Sequence, residues 1–216
     1  MDNNVKFSEG YVCGAICSSG KIVWDEKHSN YYISLETGQE EYANLFAEAL
    51  ERIVGKEVKR GERMRSIPTR TVTVYGKKDV SALARRWELS PGRRNWSVPR
   101  DAFTDSDFRG GFVRGFFDGN GSVSVSIEDY GKRTKKRSIR AYSVNRKGLT
   151  GVKRLLEMEG VKSIMYPCGD SFTIKISGKM RLEMFMHRIG FGLNDKMRDL
   201  DRALLPQSLS RYEDQL

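Results

Sequence analysis

The chain has 216 residues, 38% of them hydrophobic, enough to bury a core in one large domain or two small fused ones and too many for a disordered chain. Its 38 Lys and Arg against 28 Asp and Glu leave a formal charge of +10, an excess whose natural partner is a polyanion, either nucleic acid or an anionic membrane. The longest apolar runs fall far short of the roughly 18 residues a membrane span needs, and residues 1–10 are too polar for a signal peptide; no membrane partner is expected, and the location expected is intracellular, in the cytoplasm or an organelle.

The first element, Gly10-Tyr-Val-Cys-Gly-Ala-Ile-Cys-Ser-Ser-Gly20, reads as a helix ending near its last glycine. Cys13 and Cys17 share one face of it; with Cys168 far away and only His28 and His187 to complete a zinc site, the cysteines read as reduced packing residues. Residues 21–24 and 30–35 alternate as a hairpin. An amphipathic helix follows over 39–54, with Leu45, Phe46, Ala49, Leu50 and Ile53 inward and Gly55 closing it. The next hairpin is basic, with Lys56, Lys59, Arg60, Arg63, Arg65 and Arg70, of which Lys59, Arg63 and Arg65 share a face by alternation. It ends on Thr71-Val-Thr-Val-Tyr-Gly76, and Val80, Leu83, Ala84 and Trp87 then recur at helical spacing. Residues 90–106, interrupted by Pro91, Gly92 and Pro99, read as a linker.

Beyond the linker the order repeats. Gly111, Gly115 and Gly121 echo Gly10, Gly14 and Gly20 at one offset of 101, and Thr173-Ile-Lys-Ile-Ser-Gly178 echoes the strand at Thr71 at an offset of 102. Between them lie strands over 122–127 and 138–144, joined by a turn carrying Lys132, Arg133, Lys135, Lys136 and Arg137, and a helix with Leu149, Val152, Leu155 and Leu156 inward, closed by Gly160. Leu182, Phe185, Met186 and Ile189 mark a further helix; one more is expected over 194–205, stopped by Pro206 and followed by a polar tail. The expected architecture is α+β: two pseudo-symmetric αββαββα halves, 1–89 and 107–193, a linker over 90–106, and a C-terminal helix and tail over 194–216.

Each half opens with a Gly-x-x-x-Gly step, Gly10 with Gly14 and Gly111 with Gly115. Glycine costs an exposed helix about 1 kcal/mol, so two per helix imply a compensating close approach of the two helix backbones. This pair resembles the motif helices of the single-chain, intron-encoded LAGLIDADG homing endonucleases, and Gly115-Phe-Phe-Asp-Gly-Asn-Gly121 is the stronger match. The resemblance implies a saddle of antiparallel β-sheets and a site-specific double-stranded DNA endonuclease. It would use Mg²⁺ or Mn²⁺ and cut a long asymmetric target as a monomer. The alternative is a catalytically degenerate relative, either a DNA-binding protein or an RNA maturase acting on intron RNA.

The family's catalytic acids fall just before the last glycine of each motif, which here means Ser19 and Asn120, neither acidic. Hard cations are held chiefly by carboxylates, so a hydroxyl and an amide would hold Mg²⁺ weakly. The resemblance adds the carbonyls of Ser18 and Gly119 as metal ligands beside Ser19 and Asn120. Asp118 stands roughly 200° around the helix from Asn120 and should point away. Strand pairing is expected to bring Glu36 and Thr37 back towards Ser19, and Asn145 and Arg146 towards Asn120; Glu36 could supply a carboxylate and Arg146 could stabilise phosphate charge. The candidate DNA-binding residues are Lys21, Lys59, Arg63, Arg65 and Arg70 in the first half and Lys132, Arg133, Lys135, Lys136, Arg137 and Arg140 in the second, on ribbons of the width the major groove admits. Trp24, Tyr31, Tyr32 and Tyr142 are interleaved with them, as base contacts or as packing.

Overall fold

The computed structural model describes residues 4–64, 68–89, 95–129 and 133–206; Arg65, Lys132, the side chain of Arg133 and the tail 207–216 lie outside the described residues. The first half runs α1 (Val5–Ser18), β1 (Lys21–Asp25), β2 (Asn30–Thr37), α2 (Glu40–Val54), β3 (Lys59–Arg63), β4 (Thr69–Tyr75) and α3 (Lys77–Arg86). After a short helix α4 (Asp101–Thr104) the second half repeats it: α5 (Ser106–Asn120), β5 (Ser122–Asp129), β6 (Arg133–Ser143), α6 (Arg146–Met158), β7 (Ile164–Cys168), β8 (Ser171–Ser177) and α7 (Lys179–Arg188), with α8 (Asn194–Leu204) added. Each half holds an antiparallel four-stranded sheet, ordered β1-β2-β4-β3 and β5-β6-β8-β7. Among the described residues no helix is long and apolar enough to cross a membrane.

Local chemistry sets the boundaries. Asn4, Asp105 and Asn145 cap α1, α5 and α6 by accepting backbone N–H bonds, and Gly55 closes α2 in the left-handed conformation at φ 68°. The inner stripe of α2 is turned slightly from the expected one: Tyr42, Ala43 and Ala47 are buried with Phe46, Ala49 and Leu50, whereas Leu45 and Ile53 are only half-buried. Tyr42 completes the stripe four residues before Phe46, and its hydroxyl tip masked that role in the sequence.

One other expectation is corrected. Lys135, Lys136 and Arg137 do not form a turn; they pair with Ile127, Ser126 and Val125 inside β6, because the alternation of Val123, Val125 and Ile127 carries the ladder well past residue 127. The expected linker also contributes to the core through Trp96, Val98 and Ala102. The Trp96 ring lies so close to α6 that a Cβ at Gly148 would stand 2.4 Å from it, and Asn145 donates to the Trp96 carbonyl at 2.6 Å.

The two motif helices pack backbone to backbone. A Cβ on Gly10 or Gly14 would stand 2.0 Å from the carbonyl oxygen of Phe108 or Phe112; on Gly111 or Gly115 it would stand 2.1 or 2.2 Å from that of Phe7 or Tyr11. The contacts are reciprocal and advance together along both helices, so α1 and α5 are parallel and related by a pseudo-twofold along their axes. Each sheet follows the same end of its helix, so the pseudo-twofold sets both sheets beside that end of the pair.

Candidate nucleic-acid interface and motif ends

The parallel packing brings Ser18, Ser19, Gly119 and Asn120 together. Asn120 Nδ2 donates to the Ser18 carbonyl of the other half at 3.3 Å and to the Tyr142 carbonyl at 3.1 Å. The Ser18 hydroxyl donates to the Ala15 carbonyl at 3.0 Å and lies 3.3 Å from the Ser19 hydroxyl and 3.5 Å from that of Tyr42. These three hydroxyls close on Gly119, where a Cβ would stand 2.0, 2.4 and 2.7 Å from them. Tyr42 is buried, its phenol pushed well above the usual range by desolvation, and it donates to the Gly115 carbonyl at 3.4 Å.

Register decides which strand ends reach this point. Lys21 pairs with Ser34, which carried two residues back sets Ser19 level with the exposed Glu36. Ser122 pairs with Arg140, which sets Asn120 level with Tyr142 rather than with Asn145 or Arg146. Arg146 is therefore not brought to the motif ends: it opens α6, stacks on Phe172 at 5.6 Å and lines a cavity with Val98 and Phe103. Asp118 points away from Asn120, as the helix angle requires. It is wholly buried, accepting from the Tyr11 hydroxyl at 2.9 Å and the Gly192 N–H at 3.0 Å, and burial raises its carboxyl to about 6.

Alternation sorts the cations. On the open face of the first sheet stand Lys21, Lys59 and Arg63; Arg70 lies on the helix side, bound to Glu40 at 2.8 Å and near Glu62 at 3.8 Å. On the open face of the second sheet stand Lys136, Arg140 and Lys175, lining a shallow hollow of about 380 Å³ with Ser124 and Ser138. Lys135 and Arg137 alternate to the helix side. Lys135 donates to the Arg202 and Leu205 carbonyls at 3.1 and 3.2 Å, capping α8 instead of facing a ligand. Lys175 was missed in the sequence, although its place between Ile174 and Ile176 assigns it to the face opposite theirs.

Residues 107–190 match the LAGLIDADG-like domain family. The second half is thus LAGLIDADG-like in sequence, and solved structures share the fold of the whole chain. Its fold is that of the homing endonuclease I-DmoI in complex with DNA and Ca, at a TM-score of 0.64 and 18% identity, covering 92% of this chain and 98% of that one. The homing endonuclease I-WcaI bound to its DNA recognition sequence aligns at 0.65 and 14% identity over 90% and 86% of the two chains. The N-terminal LAGLIDADG domain of WhiA aligns at 0.56 and 13% identity over 87% and 84%. By sequence the chain is 30% identical over 175 residues to a probable translation initiation factor IF-2 of Thermococcus kodakarensis; the match takes in 77% of this chain but spans only 14% of that protein's length.

The motif ends do not fit a divalent cation. Among the described residues no three His, Cys, Asp or Glu side chains gather into a metal-holding group. Of the four candidate ligands, the Ser18 carbonyl already accepts the Asn120 amide, and the hydroxyls of Ser18 and Ser19 pack against Gly119. A hard cation needs charged oxygens, and this set offers only neutral ones.

Proposed function

We propose that the chain binds double-stranded DNA across the two open sheet faces and does not cleave it, its motif ends serving as a joint between the halves. The observation that carries this reading is the Asn120 amide, whose N–H points at the Ser18 carbonyl where a nuclease of this fold would need a cation. Three open-face cations on each sheet supply the attraction to phosphate. Because the two faces differ residue by residue, the target is long and asymmetric, and one chain carries both halves of the reader, so it binds as a monomer.

A nuclease reading rests on Glu36, the one carboxylate set level with Ser19 by register. One experiment separates the two. A randomised duplex library is selected for binding, and the enriched duplex is incubated with the protein and Mg²⁺ or Mn²⁺. The expected result is enrichment of a site without cleavage by the natural chain, with Mn²⁺-dependent cleavage appearing only after Ser19→Asp and Asn120→Asp together. Cleavage by the natural chain that is lost on Glu36→Gln would establish the nuclease reading; failure to enrich any duplex would end the DNA-binding one.

A further inference from the structure

Equivalent rows of the two open faces carry opposite charge patterns. Across the first sheet one row runs Lys21, Ser34, Thr73, Lys59, with the cations on the edge strands and two hydroxyls, bonded to each other at 3.1 Å, in the middle. The matching row of the second sheet runs Ser122, Arg140, Lys175, Ile164, with the cations in the middle and none at the edges. The next row of that sheet is Ser124, Ser138 and Ser177, side chains too short to cover their charged neighbours.

Arg140 and Lys175 are direct cross-strand neighbours, and like charges so placed repel. Among the described residues neither has a hydrogen bond or ion pair that would offset that repulsion. A ligand with paired acceptors would. When a curved sheet enters the major groove, its edge strands run beside the phosphate walls and its central strands face the floor. Lys21 and Lys59 then meet phosphate, whereas Arg140 and Lys175 meet base edges. Guanine offers N7 and O6, the acceptor pair that Arg and Lys engage there.

Resting on the duplex-binding reading above, we propose that Arg140 and Lys175 are specificity-determining residues that select neighbouring guanines in the half-site under the second sheet, with no counterpart in the other half.

The test is affinity for the enriched duplex by fluorescence anisotropy, with each guanine of that half-site exchanged for adenine in turn. The natural chain should lose roughly 10-fold or more in affinity on exchange at the read positions. Arg140→Ala and Lys175→Ala, exposed or half-exposed positions where truncation removes a repulsion, should each bind the guanine and adenine duplexes alike at one position. Lys59→Ala should weaken every duplex equally. Binding without any guanine preference, or variants that weaken all sequences uniformly while flattening the salt dependence, would overturn the base-reading assignment and leave duplex binding intact. Absence of duplex binding would overturn both, and the two failures are therefore distinct.

Discussion

A buried carboxyl has to be answered by its surroundings, and for Asp118 the answer comes from three directions: the Tyr11 hydroxyl on α1, the Gly192 N–H, and the ammonium of Lys196, which donates to the Phe117 and Asp118 carbonyls at 3.1 and 2.5 Å. Burial still outweighs these partners and the Arg114 charge, raising Asp118 from 3.8 to about 6; burial also lowers Lys196 to about 8, against the pull of Asp118. The sign of the pH effect follows. A carboxyl that holds its proton more tightly when folded favours the fold most below its unfolded value, and that contribution fades as pH rises through about 6, a difference of about 3 kcal/mol in all. Urea unfolding of the natural chain and of Asp118→Asn at pH 4.5 and 7.5 should show their stability gap moving towards the natural chain at the lower pH by about 2 kcal/mol. A gap independent of pH would show that Asp118 does not titrate within the fold.

Among elements, the α1–α5 pair sets the geometry of everything else, and its tolerance is readable position by position. A methyl on Gly115 would meet the Tyr11 carbonyl at 2.2 Å, and backbone cannot swing aside as a side chain can; Gly115→Ala should cost about 3 kcal/mol or more. Gly110, on the same helix, has only the Phe7 ring at 3.8 Å, so Gly110→Ala should gain up to about 1 kcal/mol from helix propensity alone. Chemical denaturation of the two variants should therefore move in opposite directions, and equal losses would deny the close packing. These glycines were legible because a Gly-x-x-x-Gly step has few uses other than close helix approach. The basic run of β6 was less legible. Composition marks Lys135, Lys136 and Arg137 alike, yet alternation within a strand gives one of the three to the open face and commits Lys135 to the end of α8. That division depends on how far the β5–β6 ladder extends, which the turn-like polar sequence concealed. Trp96 and Val98 were hidden in the same way, since the prolines around them signal a break in periodicity and say nothing of burial.

For the molecule as a whole, two halves joined through one helix pair share a core, and α8 fastens them further: Glu41 of the first half accepts from Asn194 at the start of α8, while Lys135 of the second holds its end. The pseudo-twofold was visible in the spacing of six glycines, but the difference between the halves lies in the rows across the sheets, which only the register shows. That difference bears on how the charge of +10 acts. If every candidate cation named from the sequence met phosphate, eleven contacts would give a log–log salt slope of about −10; among the described residues the open faces hold five of them, Lys21, Lys59, Arg63, Lys136 and Arg140, and with Lys175 that makes six. The expected slope is then about −5, or about −4 if Arg140 and Lys175 touch bases alone. Affinity for the enriched duplex measured from low to moderate salt would fix the value. A slope near −10 would place the helix-side cations on DNA as well, against the pairing of Arg70 with Glu40 and the capping of α8 by Lys135. A slope near −1 would remove the duplex from the saddle altogether, because six cations on one concave surface cannot meet a phosphate backbone without displacing several of its counterions.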